Sequence, residues 1–206
     1  MTVGVINYGL GNLASVQRAL ADLGADARIV GQAAALADVE RIVLPGVGAF
    51  GEGMRRLRDG GWVEALRARV RDGRTPLLGI CLGMQLLAEA GEEDGDWEGL
   101  GLIAGRVRRL DALGCTLRVP HVGWNEVRYD AGARLFAHVP QGTDFYFVHS
   151  YALEPGAGAV CATTGYGVTL AAAVQQGCVF GTQFHPEKSS KAGRQVLQNF
   201  LAVAAC

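Results

Sequence analysis

The sequence predicts an α/β fold in which a central, mostly parallel sheet carries helices on both faces and the C-terminal half adds antiparallel strands. Two observations support this prediction. Apolar strand-like runs and amphipathic helical runs alternate three times before residue 81, a pattern typical of a parallel sheet covered on both sides. Beyond residue 100, short apolar runs separated by turn residues predict strands joined as hairpins.

Each element has its own local signal. Short aliphatic runs bounded by glycine or charge predict strands at residues 3–7, 27–30, 41–44 and 76–80, and helical periodicity predicts helices at 13–23, around 54–57, at 62–71, 84–90 and 192–204. The hairpin strands are predicted at 102–110, 116–119, 144–153, 159–163, 171–175 and 179–185. The acidic segment 92–96 is predicted to be a solvated loop.

Composition narrows the functional classes. Half of the 206 residues are hydrophobic, 19% are charged and the formal net charge is −1, which disfavours nucleic acid as a partner. We expect one domain over residues 1–206, located in the cytoplasm, because no basic signal-peptide start and no apolar run of membrane-spanning length occurs. The five cysteines are scattered without a Cys-x-x-Cys pair, so no metal site is predicted.

The segment 79–83, Gly-Ile-Cys-Leu-Gly, is the strongest functional signal. Cys81 follows a predicted buried strand and precedes a helix, with Gly79 and Gly83 on either side. Glycines permit the sharp strand-to-helix turn that exposes a nucleophile, and the start of a helix favours a thiolate. We therefore predict that Cys81 is a catalytic nucleophile.

A cysteine nucleophile needs a base, and the base needs a group that orients it. His185 ends a predicted strand and precedes Pro186 and Glu187. An extended backbone would place Glu187 on the same side as His185, where its carboxylate can accept the Nδ1 proton. We interpret His149 as a hydrogen-bonded structural histidine on a strand and His138 as part of an exposed loop.

An oxyanion hole is predicted from backbone N–H groups. Leu82, the residue after the nucleophile, supplies the usual first donor. The second is expected from the glycine-rich loop that follows the third strand, in residues 46–48, with Gly48 as the candidate.

Two alternatives remain open at this point. Gly9, Gly11 and Ala14 fit the spacing of a dinucleotide-binding fingerprint, although the next strand ends in Gly31 and Gln32 where that motif requires an acidic residue. A binding or scaffold protein that keeps the site without catalysis is the second alternative.

Taken together, residues 79–85 and 185–187 resemble the class I (triad) glutamine amidotransferases, and the resemblance covers nearly the whole chain. It implies a flavodoxin-like fold. It also implies that Cys81 attacks the side-chain amide of glutamine, that His185 transfers the proton and that Glu187 orients His185. By the same resemblance Gln85 and the backbone between Gly48 and Gly51 hold glutamine, and neither a metal nor an organic cofactor is required.

Four further segments, 7–12, 45–54, 120–126 and 146–151, are similar to the branch of this family that serves histidine biosynthesis. This similarity implies that ammonia passes to a cyclase (synthase) subunit with a (β/α)8 barrel, in a heterodimer. That subunit forms imidazole glycerol phosphate and an aminoimidazole carboxamide ribotide, and we expect it to be a separate chain. The expected interface residues are Trp124 and Asn125, interpreted as a loop, together with Tyr146 and Lys188.

Overall fold

The computed structural model describes residues 1–71 and 73–204, which form two sheets and five α-helices. The strands are β1 (Thr2–Ile6), β2 (Asp26–Val30), β3 (Arg41–Gly46), β4 (Leu77–Cys81), β5 (Ala88–Gly91), β6 (Trp97–Glu98), β7 (Ile103–Arg109), β8 (His121–Tyr129), β9 (Thr143–His149), β10 (Tyr151–Pro155), β11 (Val160–Gly165), β12 (Thr169–Gln176) and β13 (Val179–Thr182). The helices are α1 (Leu13–Ala21), α2 (Phe50–Asp59), α3 (Trp62–Arg71), α4 (Leu82–Leu86) and α5 (Ser190–Ala202). Short 3-10 helices cover Ala33–Asp38, Arg134–Phe136 and Pro186–Lys188.

The large sheet has the order β2-β1-β3-β4-β13-β12-β11-β8-β9. Its first five strands are parallel, and the last four are joined by antiparallel pairing. The parallel part repeats the 2-1-3-4-5 order of flavodoxin-like folds. The smaller sheet has the order β10-β7-β5-β6. The predicted fold class is confirmed.

Helices cover both faces of the parallel strands, as predicted. On one face, the buried side chains of α1 and α5 pack against valines and isoleucines of the central strands: Val16, Leu20, Val196, Phe200, Val5, Val43 and Ile80. On the other face, α2, α3 and α4 pack with the smaller sheet over a second buried cluster that includes Ile6, Leu44, Met54, Leu66 and Leu86. Cys81 lies where β4 ends between these two layers.

The helix predicted at residues 84–90 is wrong in its second half. Helix α4 ends at Leu86, and Ala88–Gly91 is strand β5. The backbone carbonyls of residues 86 and 88 accept hydrogen bonds from the N–H groups of Leu100 and Gly101, so they cannot continue the helical ladder. Tertiary pairing overrides helix propensity here.

Two predictions in the C-terminal half are also wrong. The run 116–119 is irregular, and the segment 121–129, interpreted as a loop around Trp124, forms strand β8. Seven consecutive residues of β8, from His121 to Val127, pair antiparallel with β9. A glycine and polar residues interrupt the apolar alternation in this strand, which hides its period of two in the sequence.

The connection between β2 and β3 is a 3-10 helix rather than an α-helix. Within the part of the chain that the structure describes, no helix is long and apolar enough to cross a membrane.

Candidate active site

Cys81 occupies a strained turn between β4 and α4. Its backbone has φ 54° and ψ −111°, a conformation that non-glycine residues rarely adopt. Such strain persists only where the surroundings enforce it, and it concentrates at functional sites. The thiol is buried and lies 3.9 Å from the carbonyl oxygen of Val148 and 3.8 Å from Nε2 of Gln183.

The glycines beside Cys81 are required by close backbone contacts. A Cβ atom on Gly79 would lie 2.5 Å from the carbonyl oxygen of Gly83, and a Cβ atom on Gly83 would overlap the carbonyl group of Leu44. The backbone on either side of Cys81 is therefore in close contact with its own turn and with strand β3. This explains in steric terms why the sequence spaces two glycines around the cysteine.

His185 and Glu187 form a buried pair. Nδ1 of His185 lies 2.8 Å from Oε1 of Glu187, and both side chains are at most 3% exposed. The local geometry differs from the extended segment that we predicted, because Pro186–Lys188 turns as a 3-10 helix after His185. The N–H of His185 donates to the carbonyl of Tyr146, which fixes the start of this turn to β9.

The pKa of His185 reflects opposing effects. Burial alone lowers it, but hydrogen bonds and charge interactions with Cys81 and Glu187 outweigh burial and raise the pKa of His185 to about 9. The imidazole is therefore a strong proton acceptor. Its Nδ1 is held by the carboxylate, and the residue lines the same cavity as Cys81.

Cys81 and His185 line one cavity of about 490 Å³. Gly48, Leu82 and Gln85, which we predicted as oxyanion or substrate contacts, line it as well. Gly46 is the parallel neighbour of Cys81, so the loop that begins there lies beside Cys81. Gly48 has φ 101°, a backbone conformation that favours glycine.

Of the predicted substrate contacts, Gln85 is hydrogen-bonded within the protein, and Gly51 lies outside the cavity. The side-chain nitrogen of Gln85 donates to the carbonyl of Tyr151 at 2.8 Å and to Oε1 of Gln183 at 3.0 Å. Gly51 is buried in the first turn of α2 beneath the indole of Trp97 and does not line this cavity.

Two of the predicted interface residues, Trp124 and Tyr146, lie side by side on strands β8 and β9. Trp124 and Tyr146 are cross-strand partners with ring centroids 6.0 Å apart, and Nζ of Lys188 lies 5.9 Å from the Tyr146 ring. Val122 and Val148 extend this outward face, which we call the hairpin face: Val122, Trp124, Tyr146 and Val148. The side chain of Asn125 points elsewhere and bonds His121 and the carbonyl of Gly165.

Sequence reasoning missed several residues of the site. Glu93 lines the cavity, accepts the N–H of Phe50 at 2.8 Å, and has its pKa raised by burial, although we expected its segment to be solvated. Gln183 contacts the thiol, and His149 lies in the cavity wall. Glu93 belongs to no motif, and it reaches the cavity from the turn between β5 and β6. Gln183 could have been found, because it lies two residues before His185.

The glycine turn after β1 lies under another side chain. Gly9 and Gly11 have positive φ, as tight turns require, but the guanidinium of Arg56 covers Gly9 and its Nη1 donates to the Gly9 carbonyl at 3.3 Å. This contact leaves little room for a pyrophosphate at the turn. The sheet order is also flavodoxin-like rather than the 3-2-1-4-5 order of dinucleotide-binding folds.

Comparison with known proteins agrees with this geometry. A family model described as glutamine amidotransferase class-I matches residues 4–204. The chain therefore belongs to the class-I glutamine amidotransferases. A solved glutamine amidotransferase that is 25% identical has a TM-score of 0.77, with 97% of each chain covered. A chain of PurLQS from Thermotoga maritima, at 20% identity, has a TM-score of 0.78 over 98% of this chain and 97% of its own, and supports the fold alone.

Within the class, curated relatives identify the branch. Proteins from Moorella thermoacetica and Geobacillus kaustophilus, both named imidazole glycerol phosphate synthase subunit HisH, are 47% and 45% identical to this chain. The alignments cover 96% and 98% of this chain and 93% and 97% of the relatives.

Proposed function

We propose that this chain is the glutaminase subunit of an imidazole glycerol phosphate synthase, hydrolysing glutamine to glutamate and ammonia for histidine biosynthesis. Family membership and the two HisH relatives support the assignment. The observation that carries the chemistry is the buried His185–Glu187 pair beside a strained Cys81 in one cavity. We expect the reaction to take place in the cytoplasm.

In the proposed mechanism, His185 takes the thiol proton as Cys81 attacks the carboxamide carbon of glutamine. The C–N bond then breaks, and the proton passes from His185 to the departing ammonia. Water, deprotonated by His185, attacks the thioester and releases glutamate, which regenerates the thiol. Glu187 holds Nδ1 of His185 and stabilises the imidazolium that forms in each step.

The tetrahedral intermediates need donors for a developing oxyanion. The N–H of Leu82 begins the helix beside Cys81, and the loop that contains Gly48 borders the same cavity. We assign both as oxyanion donors. Loss of one such donor typically lowers kcat by about 10²- to 10³-fold.

Glutamine would enter the cavity as a zwitterion. The Glu93 carboxylate lies in the cavity wall, and burial raises its pKa. A bound ammonium group would offset that burial cost, so we assign Glu93 to the α-ammonium group of glutamine. Gln85 is assigned to the wall that supports the amide end of the substrate.

Ammonia released into water would be protonated, so a partner must receive it directly. We propose that the partner is a cyclase subunit with a (β/α)8 barrel, bound as a heterodimer through the hairpin face and Lys188. Trp124 is 54% exposed and Val122 56%, and Val148, the cross-strand partner of Val122, lines the active-site cavity. Aromatic residues such as Trp124 and Tyr146 are enriched at protein–protein interfaces.

Substitution Cys81→Ala tests the division of labour. In the complex with the cyclase, it should abolish glutamine-driven synthesis of imidazole glycerol phosphate and leave ammonia-driven synthesis largely intact. The measurement is the rate of product formation with each nitrogen source. Equal loss of both activities would contradict the proposal.

Covalent labelling separates the enzyme from a non-catalytic scaffold. A glutamine-analogue electrophile should form an adduct on Cys81, detected by peptide mass, while the buried free thiol Cys161 serves as the internal control. Absence of an adduct on Cys81 would favour the scaffold.

Substitution Trp124→Ala tests the interface. Truncating a central aromatic residue typically costs more than about 1 kcal/mol, so the Kd for the cyclase should rise roughly tenfold, measured by titration calorimetry. Ile29→Ala is the matched control, because Ile29 is 44% exposed on β2 at the opposite edge of the large sheet. Equal effects of the two substitutions would rule out the hairpin face.

A further inference from the structure

A chain of hydrogen bonds leads from strand β8 to the nucleophile. Nδ2 of Asn125 contacts Nε2 of His121 at 3.2 Å, and Nδ1 of His121 contacts Nε2 of His149 at 3.0 Å. Nδ1 of His149 reaches the carbonyl oxygen of Tyr151 at 2.9 Å. That oxygen also accepts from Gln85, which bonds Gln183, and Gln183 contacts the Cys81 thiol.

The partners fix one arrangement of protons in this chain. The Tyr151 carbonyl only accepts, so His149 must carry its proton on Nδ1 and its Nε2 must accept. His121 must then donate from Nδ1, which leaves its Nε2 to accept from the Asn125 amide. Asn125 also donates to Gly165 and accepts from the N–H of Glu126, which fixes the orientation of its amide.

Both histidines are neutral in this arrangement. Each is buried, and burial lowers the pKa values of His121 and His149 to about 4. Protonation of either ring would set an N–H against another N–H or break the bond to Asn125. The His121 ring is also held between Phe147 and Tyr166, with ring centroids at 4.8 and 4.0 Å.

His149 lies where the chain leaves one sheet and enters the other. Strand β9 of the large sheet ends at His149, and β10 of the smaller sheet begins at Tyr151. The four residues of this corner, Val148 to Tyr151, all line the active-site cavity. The side chain of His149 bonds the backbone carbonyl of Tyr151 at the other end of this corner. It therefore fixes the position of the carbonyl that accepts the hydrogen bond from Gln85.

We propose that the His121–His149 pair is a neutral positioning device for glutamine, in which His149 sets the Tyr151 carbonyl and so orients Gln85 and the cavity wall. This inference rests on the proposed glutaminase function. His149 does not exchange a proton with the substrate. It acts through the corner, so its loss should weaken the productive binding of glutamine more than it slows the chemical step.

Three substitutions at position 149 test this role in the complex with the cyclase. His149→Asn places an amide N–H near the position of Nδ1 and so retains the bond to Tyr151. His149→Gln places its amide near the position of Nε2 and loses that bond. His149→Leu has no polar group at either position. Loss of the bond to Tyr151 should raise the KM for glutamine about tenfold while kcat changes less than about threefold. His149→Asn should stay within about twofold of the wild type in both constants, measured from glutamate release.

Other outcomes would overturn the proposal. If all three substitutions match the wild type, the bond to Tyr151 does not matter, and if all three lower kcat alike at unchanged KM, His149 does not position glutamine. His138→Asn is the control, because His138 is exposed.

Nitrogen-15 spectra of the histidine rings provide a readout that does not depend on turnover. In the Cys81→Ala protein bound to the cyclase, both His121 and His149 should be neutral with the proton on Nδ1 at pH 6–7. A proton on Nε2 of His149 would overturn the proposal. A wild-type complex without glutaminase activity would instead overturn the proposed function, while the spectra still test the pair.

Discussion

Two buried histidines in this molecule use the same local geometry and have opposite properties. Nδ1 of His185 bonds the carboxylate of Glu187 at 2.8 Å, and Nδ1 of His149 bonds the carbonyl of Tyr151 at 2.9 Å. In both cases the acceptor lies two residues further along the chain. Both rings line the same cavity.

The difference lies in the charge of what they face. Burial lowers the pKa of each histidine, but Cys81 and Glu187 raise the pKa of His185 to about 9, whereas the pKa of His149 falls to about 4. The Tyr151 carbonyl does not offset the cost of burying an imidazolium at His149, whereas Cys81 and the Glu187 carboxylate together do so at His185. The two rings also disfavour each other's charge, since His185 lowers the pKa of His149.

This comparison shows that a histidine in a cavity wall is not by itself a candidate base. The base is the ring whose Nδ1 partner carries a negative charge, and the ring on a neutral partner is suited to holding a fixed tautomer. Under the proposed mechanism, one cavity contains an acid–base group and a positioning group of the same residue type.

Substitution Glu187→Gln should have the largest effect, because it gives His185 a neutral carbonyl partner like that of His149. The pKa of His185 should fall from about 9, because only Cys81 would then offset burial, and kcat for glutamine hydrolysis should fall about 10²- to 10⁴-fold. Histidine spectra and glutamate release measure the two effects.

The control for this substitution is Glu154→Gln, which removes an exposed carboxylate on β10. It should leave both quantities unchanged. If Glu187→Gln retained kcat within threefold, the charge of the acceptor would not be what separates the two histidines.

The base and the positioning pair also differ in how far the sequence could predict them. Cys81 has glycines on both sides, and His185 has its carboxylate two residues away, so each is marked by its neighbours in the chain. The partners of His149 include His121, 28 residues away on another strand. Nothing local to either residue reveals that bond, and the prediction of a structural histidine was as far as the sequence could lead.

The same limit applies to the fold. The parallel half of the sheet was predictable because most of its strands are short, largely apolar runs, and the predicted fold class is confirmed. Residues 84–90 and 121–129 were not predictable in this way. Around Ala88, pairing with a distant segment overrides the helix propensity of the residues. Around Trp124, the alternation of apolar residues is interrupted, and only the pairing with β9 shows that the segment is a strand. Glu93 belongs to the same group, since it is half-buried in the turn between β5 and β6 by contact with Phe50, which is 43 residues away in the chain.

The smallest effect that the comparison predicts is on the pH dependence of folding stability, and the two histidines should act in opposite directions. His149 has a folded pKa of about 4, below the usual 6.5, so its contribution to stability is present above pH 6.5 and is lost as the pH falls towards 4. His185 has a folded pKa of about 9, so its contribution is present below pH 6.5 and is lost as the pH rises towards 9.

Each substitution should therefore flatten one limb of the stability curve. Between pH 5 and 6, His149→Asn should reduce the slope of the unfolding free energy against pH by on the order of 1 kcal/mol per unit, because one fewer proton is taken up on unfolding. His185→Asn should do the same between pH 7 and 8.5, with the opposite sign of slope. Denaturant titrations at each pH measure the free energy, with His138→Asn as the exposed control. Should both substitutions flatten the same limb, the two rings would not differ in charge as the structure implies.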